Sequence, residues 1–535
     1  MPAKRAGRRS GETGGTYHST GHLQWHGDNA STGNAGLKVA QAGFELASPN
    51  LRHINNIPTI AGIDGASLSP ATTSMLFSSI VFLFFFLPSF LALYYLLPWK
   101  NAVLLLGSLV FYAWGEPRFV PLLLLSAAIN YGAGLAIARD RARGKHWLAL
   151  GVGANLALLA WFKYAGFLAE AVNGALAAGI PVPHITLPLG ISFFTFQGIS
   201  YLIDVYRGDV AAQPSFFRFA TYKALFPQLI AGPIVRYRQI AGEMGERVLS
   251  NERLLAGFGL FAIGLAQKVL IANTLAMPAD RLFGADHGAL SALTAWLGLL
   301  CYTLQIYYDF CGYSNMAIGL GHMLGFSFPP NFDRPYSARS LTEFWQRWHI
   351  SLSSWFRDYL YIPLGGNRRG PLRTWFNLGL VFLLCGLWHG AAWTFVLWGA
   401  WHGAWLIVER IGLRGLLDRL PRALAQAWTL AVVMLGWVWF RAADLGAALG
   451  YFGALAGRAA NPSGHPWQAE IGSLELVTLA IGLGLALLPT GRAPGVPAPR
   501  APGRWASLPV ALACVALCAC SLASGTYNPF LYYRF

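Results

Sequence analysis

The chain has 535 residues, 55% of them hydrophobic and only 12% charged, with Lys and Arg exceeding Asp and Glu by 39 to 23 for a net charge of +16. Soluble domains carry about 25% charged residues, so this composition excludes a soluble enzyme and points to a membrane protein. The basic excess does not imply nucleic acid as a partner. The Lys and Arg sit mainly in short loops between apolar runs, where the basic bias of cytoplasmic loops beside a lipid bilayer accounts for them.

Residues 1–74 stand apart from the rest: they are polar, rich in Gly, Ser, Thr, Asn and His, and contain no apolar run able to span a bilayer or build a core. They read as a disordered tail or as the product of a start assigned too far upstream, because Met75-Leu76-Phe77 opens the apolar sequence. A membrane domain is therefore expected over 75–535. His18, His22, His26 and His53 read as solvated coil, not as metal ligands. Lys4, Arg5, Arg8 and Arg9 precede no apolar segment, so this is not a signal peptide.

Runs free of Asp, Glu, Lys and Arg follow at 76–97, 119–138, 288–308, 374–408, 423–440 and 505–533. Each is near or above the ~20 residues that cross a bilayer as helix. Shorter or interrupted runs at 101–115, 147–162, 187–203, 254–266 and 476–490 add spans or re-entrant pieces. The expected fold is an all-α polytopic membrane protein with roughly ten to twelve membrane helices plus interfacial or re-entrant ones. The basic loops Arg139, Arg141, Arg143, Lys145 and Arg410, Arg414, Arg419, Arg422 belong on the cytoplasmic side. Cys301, Cys311, Cys385, Cys514, Cys518 and Cys520 fall in or beside apolar runs without a metal-binding spacing, and read as buried free thiols. Asp309, near the end of the 288–308 run, must be paired inside the protein or sit at the interface.

Ser340-Leu341-Thr342-Glu343 is a capping-box start, and Phe344, Trp348, Leu352, Trp355 and Tyr359 recur at helical spacing to give one apolar face. His349 lies on the neighbouring stripe with Trp345 and Phe356. Glu343, Arg347, Arg357 and Asp358 make this helix too charged to span, so it is expected at the interface or dipping into the protein. It ends before the turn-rich basic segment Pro363-Leu364-Gly365-Gly366-Asn367-Arg368-Arg369. Arg368 and Arg369 there are candidates for holding the phosphates of a cytosolic donor; anchoring at the membrane face is the alternative.

Outside the first 74 residues, His146, His184, His287 and His465 sit in loops and read as solvated, whereas His322, His349, His389 and His402 lie in or against apolar sequence, where a ring needs a partner. His389, within Gly386-Leu387-Trp388-His389-Gly390, lies about fifteen residues into the 374–408 stretch, near mid-depth for a span. The small residues Gly386, Gly390, Ala391 and Ala392 open space around it, so a substrate or another backbone can approach closely. No Ser, Cys or metal-ligand motif accompanies it, so general base catalysis suits it better than a nucleophilic triad or a zinc site. A neutral imidazole carries a free lone pair that can take a proton from an attacking hydroxyl. On an uninterrupted helix the thirteen-residue step to His402 turns it about 220° away, so the two are not expected to act as a pair.

The residues from Pro330-Asn331-Phe332-Asp333-Arg334-Pro335-Tyr336 through Glu343-Phe344-Trp345-Gln346-Arg347-Trp348-His349 to Tyr361-Ile362-Pro363-Leu364-Gly365-Gly366-Asn367-Arg368 resemble the membrane-bound O-acyltransferase family, in its alginate O-acetylase branch. Phe226-Pro227-Gln228 through Arg236, Trp437-Val438-Trp439-Phe440-Arg441 and the terminal Tyr527-Asn528-Pro529-Phe530 are similar as well. The resemblance implies helices around a central funnel or tunnel, with His389 matching the catalytic histidine and His349 a second active-site position that orients the donor or steadies negative charge. It implies no permanently bound cofactor, acetyl-CoA as cytoplasmic donor, and an exported polysaccharide such as alginate as the destination. It also implies periplasmic acetyltransferase partners, the exopolysaccharide synthesis and export machinery, and the bacterial inner membrane. D-alanyl transfer to teichoic acid ranks second, and a polytopic transporter without acyl transfer is the alternative from another class.

Overall fold

Hydrocarbon offers no water to backbone N–H and C=O groups, so an apolar run must close its hydrogen bonds internally, and the long apolar runs of this chain are helical. The computed structural model describes residues 75–488, 508–525 and 527–531, all within a unit that covers residues 70–535. The expectation for residues 1–74 lies outside the described residues.

The longer helices in chain order are α1 (Phe82–Leu96), α2 (Lys100–Gly115), α3 (Pro117–Arg139), α4 (Gly144–Leu176), α5 (Ile191–Arg207), α6 (Phe216–Ala224), α7 (Asn251–Gly284) and α8 (Ala292–Met323). They continue as α9 (Leu341–Arg347), α10 (Ile350–Phe356), α11 (Pro371–His389), α12 (Trp393–Val408), α13 (Arg422–Arg441), α14 (Leu445–Leu455), α15 (Ser473–Leu487) and α16 (Leu508–Ala523). No strand occurs among the described residues. Of these helices α3, α4, α7, α11 and α13 are long and apolar enough to cross a membrane, and α1, α14, α15 and α16 are shorter apolar helices. Large apolar side chains stand outward on them: Leu96 is 81% exposed, Leu176 74% and Trp161 60%. A surface of this kind suits lipid, not water. The chain is a multi-pass, all-α membrane protein.

Lipid tails are as apolar as leucine, so such helices associate through close backbone approach and internal polar contacts. Between α7 and α8 the approach is made by glycines seven residues apart on each helix. A Cβ at Gly257 would lie 2.5 Å from the Gly319 carbonyl, and one at Gly264 2.5 Å from the Gly312 carbonyl. Between α3 and α4, Asn130 and Asn155 exchange side-chain amide bonds of 3.1 and 2.9 Å. Lys268 of α7 and Asp309 of α8 form an ion pair of 2.7 Å with both side chains only 2% exposed. The backbone N–H of Leu531 donates to Asp309 at 3.1 Å, and Lys268 also bonds the Pro529 carbonyl, which ties the C-terminal segment into the core. Asp309 is thus paired inside the protein. All six cysteines are free; Cys520 is exposed and Cys514 half-buried, against the expectation that all are buried.

One end of the helix array collects the basic loops. Arg141 donates to the Val205 and Tyr206 carbonyls at the C-terminus of α5, and Arg207 there donates to the Asp358 carbonyl. Arg236 pairs with Asp358 at 2.7 Å, and Arg410 lies within electrostatic reach of Tyr361. The two loops expected on the cytoplasmic side therefore share a face, together with the exposed Arg368 and Arg369 at the start of α11.

Candidate active site

Residues 340–361 bury the predicted apolar face: Phe344, Trp348, Leu352, Trp355 and Tyr359 are all 7% exposed or less. The expectation of one continuous helix is corrected. Ser340 caps α9 by accepting from the Glu343 N–H at 3.1 Å, but α9 stops at Arg347. Trp348 is extended, and His349 takes a left-handed conformation, φ 43° and ψ 55°, before α10 begins. A non-glycine residue there costs roughly 1 kcal/mol or more and persists only where its surroundings hold it. The holder is the strand-like segment around Asn331: the Asp333 N–H bonds the Arg347 carbonyl and the Ile350 N–H bonds the Asn331 carbonyl, both at 2.9 Å. The charges that make this stretch unfit to span are paired. Arg347, 5% exposed at its side chain, meets Glu343 at 2.9 Å and Asp333 at 3.1 Å. Of the two expected placements, the segment dips into the protein.

The break turns the His349 ring, fully buried, toward the centre. The Asn331 carboxamide oxygen accepts from the Ser351 N–H at 3.2 Å and the Ser351 hydroxyl at 2.8 Å, and its nitrogen donates to Ser314 at 2.9 Å. Because a backbone N–H can only donate, it fixes the amide orientation, so His349 Nδ1, 3.1 Å from the same oxygen, carries the proton. Burial pushes this imidazole down to about 3, so it is neutral with its lone pair on Nε2. That nitrogen is buried and has no protein partner among the described residues. An acceptor Nε2 can hold a donor's N–H or O–H. A lone pair on that nitrogen does not steady negative charge.

His389 is the last residue of α11; Gly390 is extended and the chain turns back into α12. It therefore sits at a helix end and not mid-helix. The 374–408 stretch is a hairpin, in which Gly386 lies against the Phe395 carbonyl and Gly399 against that of Phe382. The uninterrupted helix assumed for His402 does not exist. His389 and His402 both pack edge-on to the Trp398 ring with centroids 5.0 Å away, so the hairpin brings together what helical rotation alone would separate. His402 is fully buried among Phe344, Trp345, Phe382, Trp398 and Trp437. Its two ring nitrogens have no hydrogen-bond partner among the described residues.

Trp388 joins the two predicted site histidines. Its ring lies 4.9 Å from the His389 ring and 6.1 Å from that of His349, with Phe193 and Phe196 of α5 closing the other contacts at 5.5 and 5.4 Å. Arg368 and Arg369 are not part of this cluster. They precede the N-terminus of α11, and its 19 residues place them about 27 Å from His389. Of the histidines expected in loops, His146 lies instead in the first turn of α4 and is exposed, as is His184, whereas His287 and His465 are half-buried, the latter 2.8 Å from Glu470. Sequence reasoning assigned no role to Asn331 or to Lys163, which touches the end of α11. A lone lysine between apolar residues in Trp161-Phe162-Lys163-Tyr164 was the available signal.

Two buried histidines thus stand at the breaks of helices in a multi-pass protein. The family model described as MBOAT, membrane-bound O-acyltransferase family, matches residues 209–440, which include both site histidines. The chain is 44% identical over 426 residues to the "Probable alginate O-acetylase AlgI" of Pseudomonas putida, covering 76% of this chain and 85% of that protein. The "Peptidoglycan O-acetyltransferase" of Helicobacter pylori is 39% identical over 415 residues, with 70% and 78% covered. The "Teichoic acid D-alanyltransferase" of Bacillus subtilis is 30% identical over 224 residues, 39% of this chain and 56% of that one. The chain belongs to the membrane-bound O-acyltransferase family, and it is an acetyltransferase that works on a hydroxyl oxygen.

Proposed function

We propose that this enzyme takes acetyl groups from acetyl-CoA at the cytoplasmic face of the bacterial inner membrane and passes them toward an exported polysaccharide such as alginate, with periplasmic acetyltransferase partners receiving them. The observation that carries the reading is the convergence of His349 and His389 on the Trp388 ring. The extent of identity to alginate O-acetylases supports the polysaccharide as destination, and teichoic acid ranks second because the match to the D-alanyltransferase is shorter and weaker.

In this mechanism His389 is the general base. It takes the proton of an acceptor hydroxyl as the oxygen attacks the thioester carbonyl; the C–O bond forms, the C–S bond breaks, and the departing thiolate takes the proton back from the imidazolium. His349, through Nε2, accepts a hydrogen bond that aligns the donor. Arg368 and Arg369 meet the donor's phosphates at the basic face, so the acyl-carrying arm runs along α11 toward His389. An acceptor reaches the hairpin from its other side, where a depression of about 460 Å³ is lined by Phe167, Glu170, Ala391, Ala392, Trp393 and Asp444.

Deleting the gene and measuring ester-linked acetate on purified exopolysaccharide tests the reaction; unchanged acetate rejects it for that polymer. His389→Ala tests the base. A positioned base contributes about 10²–10⁴-fold, so a membrane-inserted variant with almost no transfer is expected. Full activity in that variant removes His389 from the mechanism.

A further inference from the structure

Lys163 lies in α4 within a π-helical turn, Ala160–Tyr164, a distortion that recurs at functional sites. It is 9% exposed and makes no ion pair among the described residues. Its ammonium is spent on the end of another helix. Nζ donates to the Trp388 carbonyl at 2.5 Å, the His389 carbonyl at 3.2 Å and the Ser192 hydroxyl at 3.2 Å. The adjacent Tyr164 hydroxyl donates to the Leu387 carbonyl at 2.7 Å. The last carbonyls of a helix have no partner within it and carry the negative end of its dipole, so a cation there is favourable twice over. Here two consecutive side chains of one turn hold three consecutive carbonyls of α11, and the third belongs to His389.

We propose that Lys163 is a positioning residue for acyl transfer: by clamping the Trp388 and His389 carbonyls, with Tyr164 on Leu387, it fixes where α11 ends and hence the direction in which the His389 imidazole leaves the backbone. The inference rests on the reading of His389 as the base. It assigns work to a residue outside the span 209–440 that the family model matches. Without the clamp, the chain after Gly386 is free to continue the helix or fray, and the imidazole moves relative to Trp388. A displacement near 1 Å at a reacting group costs about 10²-fold in rate while leaving donor binding at the distant basic face intact.

The test uses inside-out membrane vesicles supplied with radiolabelled acetyl-CoA, with incorporation into polymer normalised to inserted enzyme. Lys163→Met fills the same space without donors. It is expected to lower kcat about 10²-fold with KM for acetyl-CoA within about threefold of wild type. Lys163→Arg, which keeps the charge and the donors, should return kcat to within about tenfold of wild type. Tyr164→Phe removes one carbonyl bond at nearly constant volume and should lower kcat several-fold; it decides the matter if Lys163→Met does not reach the membrane. Wild-type kcat in Lys163→Met, a loss confined to KM, no recovery in Lys163→Arg, or wild-type kcat in Tyr164→Phe overturns the proposal. Activity surviving in His389→Ala rejects the base itself; an inactive His389→Ala beside a fully active Lys163→Met rejects the clamp alone.

Discussion

Replacing Asn331 by Leu keeps the branched outline of the side chain, with somewhat larger methyl groups, and removes every polar atom of it. Four hydrogen bonds go: to His349 Nδ1, to the Ser351 N–H, to the Ser351 hydroxyl and to Ser314. At about 1 kcal/mol net for each, with all of the abandoned partners buried, the loss is about 4 kcal/mol, offset in part by the added apolar contact. The same change takes away the acceptor that keeps the proton on His349 Nδ1 and part of what holds the left-handed turn. Nε2 then loses its fixed role as an acceptor. The expected outcome is a lower melting temperature of the purified protein in detergent, together with a fall in acetyl transfer of about 10²-fold per folded molecule. Asn331→Leu with wild-type melting and wild-type transfer would falsify the argument that this carboxamide sets the geometry of the site.

The Lys268–Asp309 pair predicts a different pattern: Asp309→Asn leaves a buried ammonium without its counter-ion, at a cost of about 3–5 kcal/mol, so membrane abundance should drop more than activity per inserted molecule. Normal abundance with abolished turnover would reassign Asp309 to catalysis. The double variant Arg368→Ala, Arg369→Ala should raise KM for acetyl-CoA about tenfold with little change in kcat, because the two arginines stand a helix length from His389. An unchanged KM leaves them as membrane-face anchors.

Composition alone established the solvent of this protein, since 12% charge and a series of charge-free runs leave a bilayer as the environment in which such a chain can bury its surface. The apolar face from Phe344 to Tyr359 was legible from spacing, because burial obeys the helical period even where the helix is interrupted. His349 and His389 were legible as candidates because a polar ring in apolar sequence demands a reason. What periodicity could not reveal were the breaks. The left-handed turn at His349 is imposed by hydrogen bonds donated to Asn331, eighteen residues earlier in the chain. The turn at Gly390 places His402 beside Trp398, against the rotation that an unbroken helix predicts. The clamp from Lys163 to the end of α11 joins residues 226 positions apart. Local propensity acts over a turn or two of helix, whereas these contacts depend on which helices become neighbours. The identity of the chemical groups was therefore written in the sequence, and their orientation was decided by tertiary packing.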